Sequence, residues 1–101
     1  MMVNKLIDRE DDFTMTAASI KAMSHPLRLK IMCALANTEL SVQDIVSQVG
    51  TTQSNISQHL AILRYMNLLS THKDANRVFY RISDSRTLKL VSMVRDVFCT
   101  V

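Results

Sequence analysis

The stretch from Leu40 to Leu63, LSVQDIVSQVGTTQSNISQHLAIL, constrains the fold more than any other part of this chain. Val42, Ile45, Val46 and Val49 recur at helical spacing. Ser41, with Asp44 three residues on, makes a capping-box pattern at the start of that helix, Asp standing in for the usual Glu or Gln. Gly50 is the single glycine of the sequence, and it falls where the helix must end in a left-handed residue. A second helix is predicted over Gln53 to Tyr65, with Ile56, Leu60 and Leu63 on its inward stripe. Its other face holds Gln53, Ser54, Asn55, Ser57, Gln58 and His59. A helix that only faces solvent uses Lys and Glu there, whereas short amides and hydroxyls can donate to and accept from base edges. Two short helices around a tight turn, the second with such a front, have the layout of a helix-turn-helix, a unit that reads DNA.

The flanks extend this unit into one domain spanning residues 1–101. A first helix is predicted over Phe13 to Met23, and Ser24-His25-Pro26 breaks it. Pro26 suits the first position of a second helix, where its missing N–H costs nothing. That helix runs to Ala36 with Leu27, Ile31, Ala34 and Leu35 as its stripe. Beyond the helix-turn-helix, Leu68 to Lys73 and Arg77 to Ile82 read as strands, joined by Asp74-Ala75-Asn76, a turn without the usual glycine. Ser83 or Asp84 caps a last helix that carries Leu88, Val91, Val94 and Phe98, with Leu90, Met93 and Val97 alongside. So wide a stripe fits a dimer seam; packing within one subunit is the alternative. The order is α-α-α-α-β-β-α, mainly α with a small β-hairpin, which is the order of a winged helix-turn-helix. Its parts are a flexible acidic tip at 1–12, the helix-turn-helix at 41–65, the wing at 69–82 and a dimerisation helix at 84–99.

Charge is unevenly spread. Residues 1–12 set Lys5 and Arg9 against Asp8, Glu10, Asp11 and Asp12, while the rest carries ten basic and five acidic residues. A basic body suits a polyanion, and it also suits any mildly basic soluble protein. No Lys or Arg lies between Leu40 and Leu63, so phosphate contacts must come from Arg28, Lys30, Arg64, Lys73, Arg77 and Arg81. Aromatics are few, which weakens any scheme of stacking on single-stranded bases. The longest apolar run, Ile31 to Ala36, is far too short to cross a membrane, and the acidic N-terminus lacks a signal-peptide profile. A cytoplasmic location is expected, with no membrane partner. Nothing resembles a nucleophile–base pair, a phosphate-cradling glycine loop or a zinc box, so neither an enzyme nor a cofactor is expected.

The sequence resembles the ArsR/SmtB family of bacterial repressors from about Ala18 to Cys99. The motifs are Lys21-Ala-Met-Ser-His-Pro-Leu-Arg28-Leu, Glu39-Leu-Ser-Val-Gln-Asp-Ile45, Gln53-Ser-Asn-Ile-Ser-Gln-His-Leu60 and Arg77-Val-Phe-Tyr80. The resemblance implies a homodimer that binds a palindromic double-stranded operator and releases it on meeting an inducer. It places Gln53, Ser54, Ser57, Gln58 and His59 on recognition-helix positions that face DNA, and Arg77 at the wing. Lys73 and Asn76 of the wing, with Ser41 and Gln43 at the start of the preceding helix, complete the expected DNA-facing set. The family's metal sites are not carried over. Ser41 and Gln43 occupy the positions of the cysteine box, and Arg86, Val97 and Thr100 stand with Asp84 at the positions of the other common site. Arg is a cation and Val has no donor atom.

Cys33 and Cys99 remain. A permanent structural bridge is not expected in a reducing cytoplasm, so the thiols are either redox-active or small buried hydrophobes. The pair resembles that of the HlyU, BigR and SqrR branch of the family, which senses oxidants or reactive sulfur through two cysteines. That resemblance implies a repressor whose operator binding is set by oxidation or persulfidation of Cys33 and Cys99. One of the two thiols is expected to be partly exposed with a lowered pKa, and Lys30 or Arg95 can stabilise a thiolate. Two alternatives stand beside it. The same cysteines could take a thiophilic ion such as arsenite or Cu(I), or the domain could bind protein rather than DNA.

Overall fold

The computed structural model describes residues 10–99; the expectations for residues 1–9 and for Thr100 lie outside them. Helix α1 spans Glu10–Met23, α2 Pro26–Ala34, α3 Val42–Val49, α4 Gln53–Tyr65 and α5 Ser85–Phe98. The strands are β1 Leu40–Ser41, β2 Leu69–Asp74 and β3 Arg77–Ile82. Residues 10–12 were expected in a flexible tip, and they form the first turn of α1 instead. Asp11 and Asp12 place negative charge at a helix N-terminus, where the backbone dipole favours it.

Local chemistry sets each boundary. His25 caps α2: its Nδ1 accepts from the Leu27 N–H at 3.1 Å, and Pro26 takes the first turn. Ser41 and Asp44 form the reciprocal capping box of α3, with Ser41 Oγ accepting from Asp44 N–H at 3.2 Å and Asp44 Oδ2 from Ser41 N–H at 3.3 Å. Gly50 ends α3 in the left-handed region at φ 85°. Thr52 Oγ1 caps α4 by accepting from Asn55 N–H at 3.2 Å. At the other end of α4, Asn67 N–H donates to the Arg64 carbonyl and Leu68 N–H to the Leu63 carbonyl, a Schellman closure with Asn67 left-handed at φ 60°. Asp84 rather than Ser83 caps α5, accepting from Arg86 and Thr87 N–H.

The hairpin gains a partner that the sequence did not suggest. The sheet has three antiparallel strands in the order β1-β3-β2. Leu40 and Thr71 both pair with Tyr80, and Ser41 and His72 both pair with Phe79. The wing therefore crosses back onto the chain just ahead of α3, which fixes it beside the helix-turn-helix.

Ile31, Met32 and Leu35, Ile45, Ile56, Leu60 and Leu63, and Val91 are almost wholly buried and form one core, closed at the sheet by Leu68 and Leu69. Helix α1 stands apart from it. Residues 11–18 are all exposed, and only Ala22 and Met23 reach the core. The molecule measures 50 × 34 × 21 Å with a radius of gyration of 15.1 Å, above the about 13 Å of a compact globule of this length. Phe13, Met15 and Ile20 of α1, and Leu90, Met93, Val97 and Phe98 of α5, are large apolar side chains left in solvent. Val91 was expected on the dimer seam with Val94; it is 2% exposed within the protomer and belongs to its core. Among the described residues no helix is long and apolar enough to cross a membrane.

Candidate nucleic-acid interface

Helix α4 spans the residues predicted for it, and its buried stripe of Ile56, Leu60 and Leu63 turns the opposite side outward. Gln53, Ser54, Ser57 and Gln58 are exposed there. Asn55 is half-buried, its Nδ2 donating to Thr51 Oγ1 at 3.2 Å, so it braces the turn. His59 lies at the flank of that face. Its ring sits 4.7 Å from that of His25, and its Nδ1 is buried without a hydrogen-bond partner, as is Arg28 Nε. Burial holds the His59 pKa below its ordinary value, and the neighbouring His25 and Arg28 lower it further.

The wing lies beside α3 and α4. Gln43, Gln53, Asn76 and Arg77 converge, with Val42 and Val78, on an open cleft of about 410 Å³. Lys73 and Asn76 are exposed around the turn. Ser41, expected to face DNA, does not: it is 2% exposed and occupied as the α3 cap. Arg77 is exposed but turned back toward Ser41, its Nη2 donating to Ser41 Oγ at 2.9 Å. Tyr65 was not singled out from the sequence. It is 85% exposed at the end of α4 and lines a second depression with Ser57, Arg64 and Tyr80. The available signal was its position, an aromatic residue off the stripe that Ile56, Leu60 and Leu63 define.

The cysteines form a second constellation, where α2 meets α5. Both are free thiols, Cys33 half-buried against the core and Cys99 exposed at the end of α5. Burial pushes the Cys33 thiol up, Cys99 close by raises it further, and Arg95 opposes both. The lowered pKa expected of one thiol is thus not found at Cys33. Arg95 is near the pair, as its spacing in the sequence suggested. Among the described residues no three of His, Cys, Asp and Glu gather to hold a metal.

A capped helical pair with a polar, uncharged reading face, flanked by a three-stranded wing, defines a winged helix-turn-helix regulator. Residues 25–71 match the family described as bacterial regulatory protein, arsR family. The chain is 33% identical over 93 residues to the biofilm growth-associated repressor of Xylella fastidiosa, a match covering 92% of this chain and 82% of that one. Reduced HlyU from Vibrio cholerae superposes with a TM-score of 0.85 at 34% identity, over 92% of this chain and 98% of that one. The homodimeric winged helix-turn-helix DNA-binding domain Mb0332 from Mycobacterium bovis gives 0.81 at 26% identity, over 88% and 82% of the two chains. The chain belongs to the arsR family, and it is a DNA-binding transcriptional regulator rather than an enzyme.

Proposed function

We propose that this chain is a homodimeric repressor that binds a palindromic double-stranded operator and releases it when Cys33 and Cys99 are oxidised or persulfidated. The observation that carries the reading is the junction of α2 and α5, where an exposed thiol lies beside a half-buried one. Helix α2 also packs on α3 and α4, so it links the thiols to the reading face. Gln53, Ser54, Ser57 and Gln58 reach base edges in the major groove, with Gln43, Lys73 and Asn76 alongside. His59 lies at the flank of the same face.

Three features support a dimer. Helix α1 exposes Phe13, Met15 and Ile20, α5 exposes Leu90, Met93 and Val97, and the similar Mb0332 domain is homodimeric. Two copies would place two recognition helices on one face of the duplex, about 34–36 Å apart for successive half-sites.

Cys99 is the thiol that an oxidant reaches first. A hydroperoxide transfers one oxygen to Cys99 Sγ, giving the sulfenic acid and water or an alcohol. The Cys33 sulfur then displaces hydroxide, which leaves as water with the Cys33 proton, and the S–S bond forms. The peroxide has gained the two electrons that the thiols lose. A persulfide donor instead passes its outer sulfur to each thiol and leaves as a thiol; one cysteine persulfide then attacks the other, hydrogen sulfide leaves, and a trisulfide bridge of longer reach remains. Either link ties α5 to α2 and moves the two recognition helices relative to each other. Mass analysis of Cys33 and Cys99 after separate treatment with peroxide and with persulfide, paired with mobility shifts of the same samples, tests this. A Cys33–Cys99 crosslink together with DNA release is expected. Release by arsenite or Cu(I) with both thiols inert to oxidants would replace it with the metal-sensing alternative.

A further inference from the structure

Strand β1 is only two residues long and pairs with Phe79 and Tyr80 alone. The end of the wing, with its pairs Lys73–Val78 and Asp74–Arg77, projects past that support. Arg77 reaches back from this overhang. Its Nη2 donates to Ser41 Oγ at 2.9 Å and stands 3.6 Å from Asp44 Oδ2, and its guanidinium carbon lies 5.3 Å from the Phe79 ring centre. The same two oxygens close the capping box of α3. One hydrogen-bonded network therefore joins the wing tip to the first helix of the helix-turn-helix.

We propose that Arg77 is a positioning residue, a brace that holds the wing tip against the N-terminus of α3 and sets the width of the cleft shared with Gln43, Gln53 and Asn76. A lysine or arginine on a wing is ordinarily read as a phosphate contact; here the guanidinium fork is directed to Ser41 and Asp44, and DNA contact from the wing falls to Lys73 and Asn76. Ser41 and Asp44 form the matching socket. The Asp44 carboxyl is held below its usual range by hydrogen bonds from Ser41 and by Arg77, so it stays an anion facing the brace. Arg suits this role because its rigid planar fork holds a direction that a lysine point charge does not. The brace rests on the DNA-binding reading for its consequence, though not for its existence.

The test uses Arg77→Ala, Arg77→Lys, Asp44→Asn and the combination Asp44→Asn with Arg77→Ala, in the full chain. The probe is a set of short duplexes that the parent chain selects from a random-sequence pool, with affinity measured over a range of salt. A brace predicts that Arg77→Ala weakens binding about tenfold with the salt slope unchanged, and that Arg77→Lys recovers little. Asp44→Asn keeps a capping acceptor and removes a negative charge near DNA, so simple electrostatics would tighten binding. The brace predicts weaker binding instead, and no further loss when Arg77→Ala is added. A salt slope shallower by about 0.9, the signature of one lost phosphate contact, overturns the proposal, as do additive losses. Hydrogen exchange without DNA separates the two readings: amides at the wing tip should exchange about tenfold faster in Arg77→Ala at unchanged melting temperature. If the parent selects no duplex, the DNA-binding reading falls, and unaltered wing exchange would then overturn the brace on its own.

Discussion

Backbone conformation at single residues decides how the elements meet. Among the described residues, Asn37, Asn67 and Ala75 adopt positive φ in addition to Gly50. Asparagine tolerates the left-handed region, and glycine is free there. Ala75 is not suited to it, and at φ 55° it carries the wing turn. Ala75→Gly is therefore expected to stabilise the protein by about 1 kcal/mol, read as a higher urea midpoint at an unchanged slope. Gly50 gives the converse. A Cβ there meets nothing within 4 Å, so Gly50→Ala should cost only the backbone strain, about 1 kcal/mol. His59 adds a pH dependence. Its folded pKa lies below its ordinary value, so below about pH 6.5 the unfolded chain binds more protons than the native one. The stability it permits is full above that pH and declines as pH falls below it. The urea midpoint should fall less between pH 7 and pH 5 in His59→Gln than in the parent, and equal falls would contradict this. Gly50 and the Ser41–Asp44 box were legible in the sequence because caps are local. The turn of Arg77 toward Ser41 was not, because 36 residues separate the partners and only strand register joins them.

At the scale of elements, the recognition helix was the most legible part. Three inward residues at helical spacing set its face, and Gly50 marked the end of the helix before it; the Thr52 cap came only with the structure. Loss of Ser57 or Gln58 should weaken specific binding by about 1–3 kcal/mol per half-site, while the protein stays folded. Titration of selected duplexes with Ser57→Ala and Gln58→Ala checks this, and unchanged affinity in both variants would move the reading face elsewhere. Strand β1 escaped prediction for a physical reason. Two residues cannot display an alternation, and Ser41 had already been read as a helix cap. It is both at once, paired with Phe79 and capping α3. That double use explains its burial, and why it is absent from the outward set.

At the scale of the molecule, α1 and α5 carry large apolar side chains that stand exposed among the described residues. The stripe of α5 read from the sequence divides in the structure. Val91 turns inward at 2% exposure, while Met93 and Val97 are each 60% exposed. Periodicity gave the stripe its width, but only the packing of α5 against α2 and β3 shows which residues it spends inside. Met93→Glu and Val97→Glu are expected to give folded monomers, because a charge would be buried at an apolar seam. Val91→Glu should instead unfold the protomer. Sedimentation together with circular dichroism separates these results, and intact dimers from both exposed-site variants would place the seam elsewhere. In the proposed dimer, a link between α5 and α2 in each protomer would act on both half-sites at once. The most direct measurement is the affinity of the reduced and the peroxide-treated parent for the same selected duplex, beside the Cys33→Ser, Cys99→Ser variant. The expected result is tight binding by the reduced parent and a loss of about 1–3 kcal/mol on oxidation, the usual size of coupling between sites, with the double variant binding tightly under both conditions. A double variant that loses affinity to peroxide as the parent does, or a crosslinked parent that binds as tightly as the reduced one, would contradict control by Cys33 and Cys99.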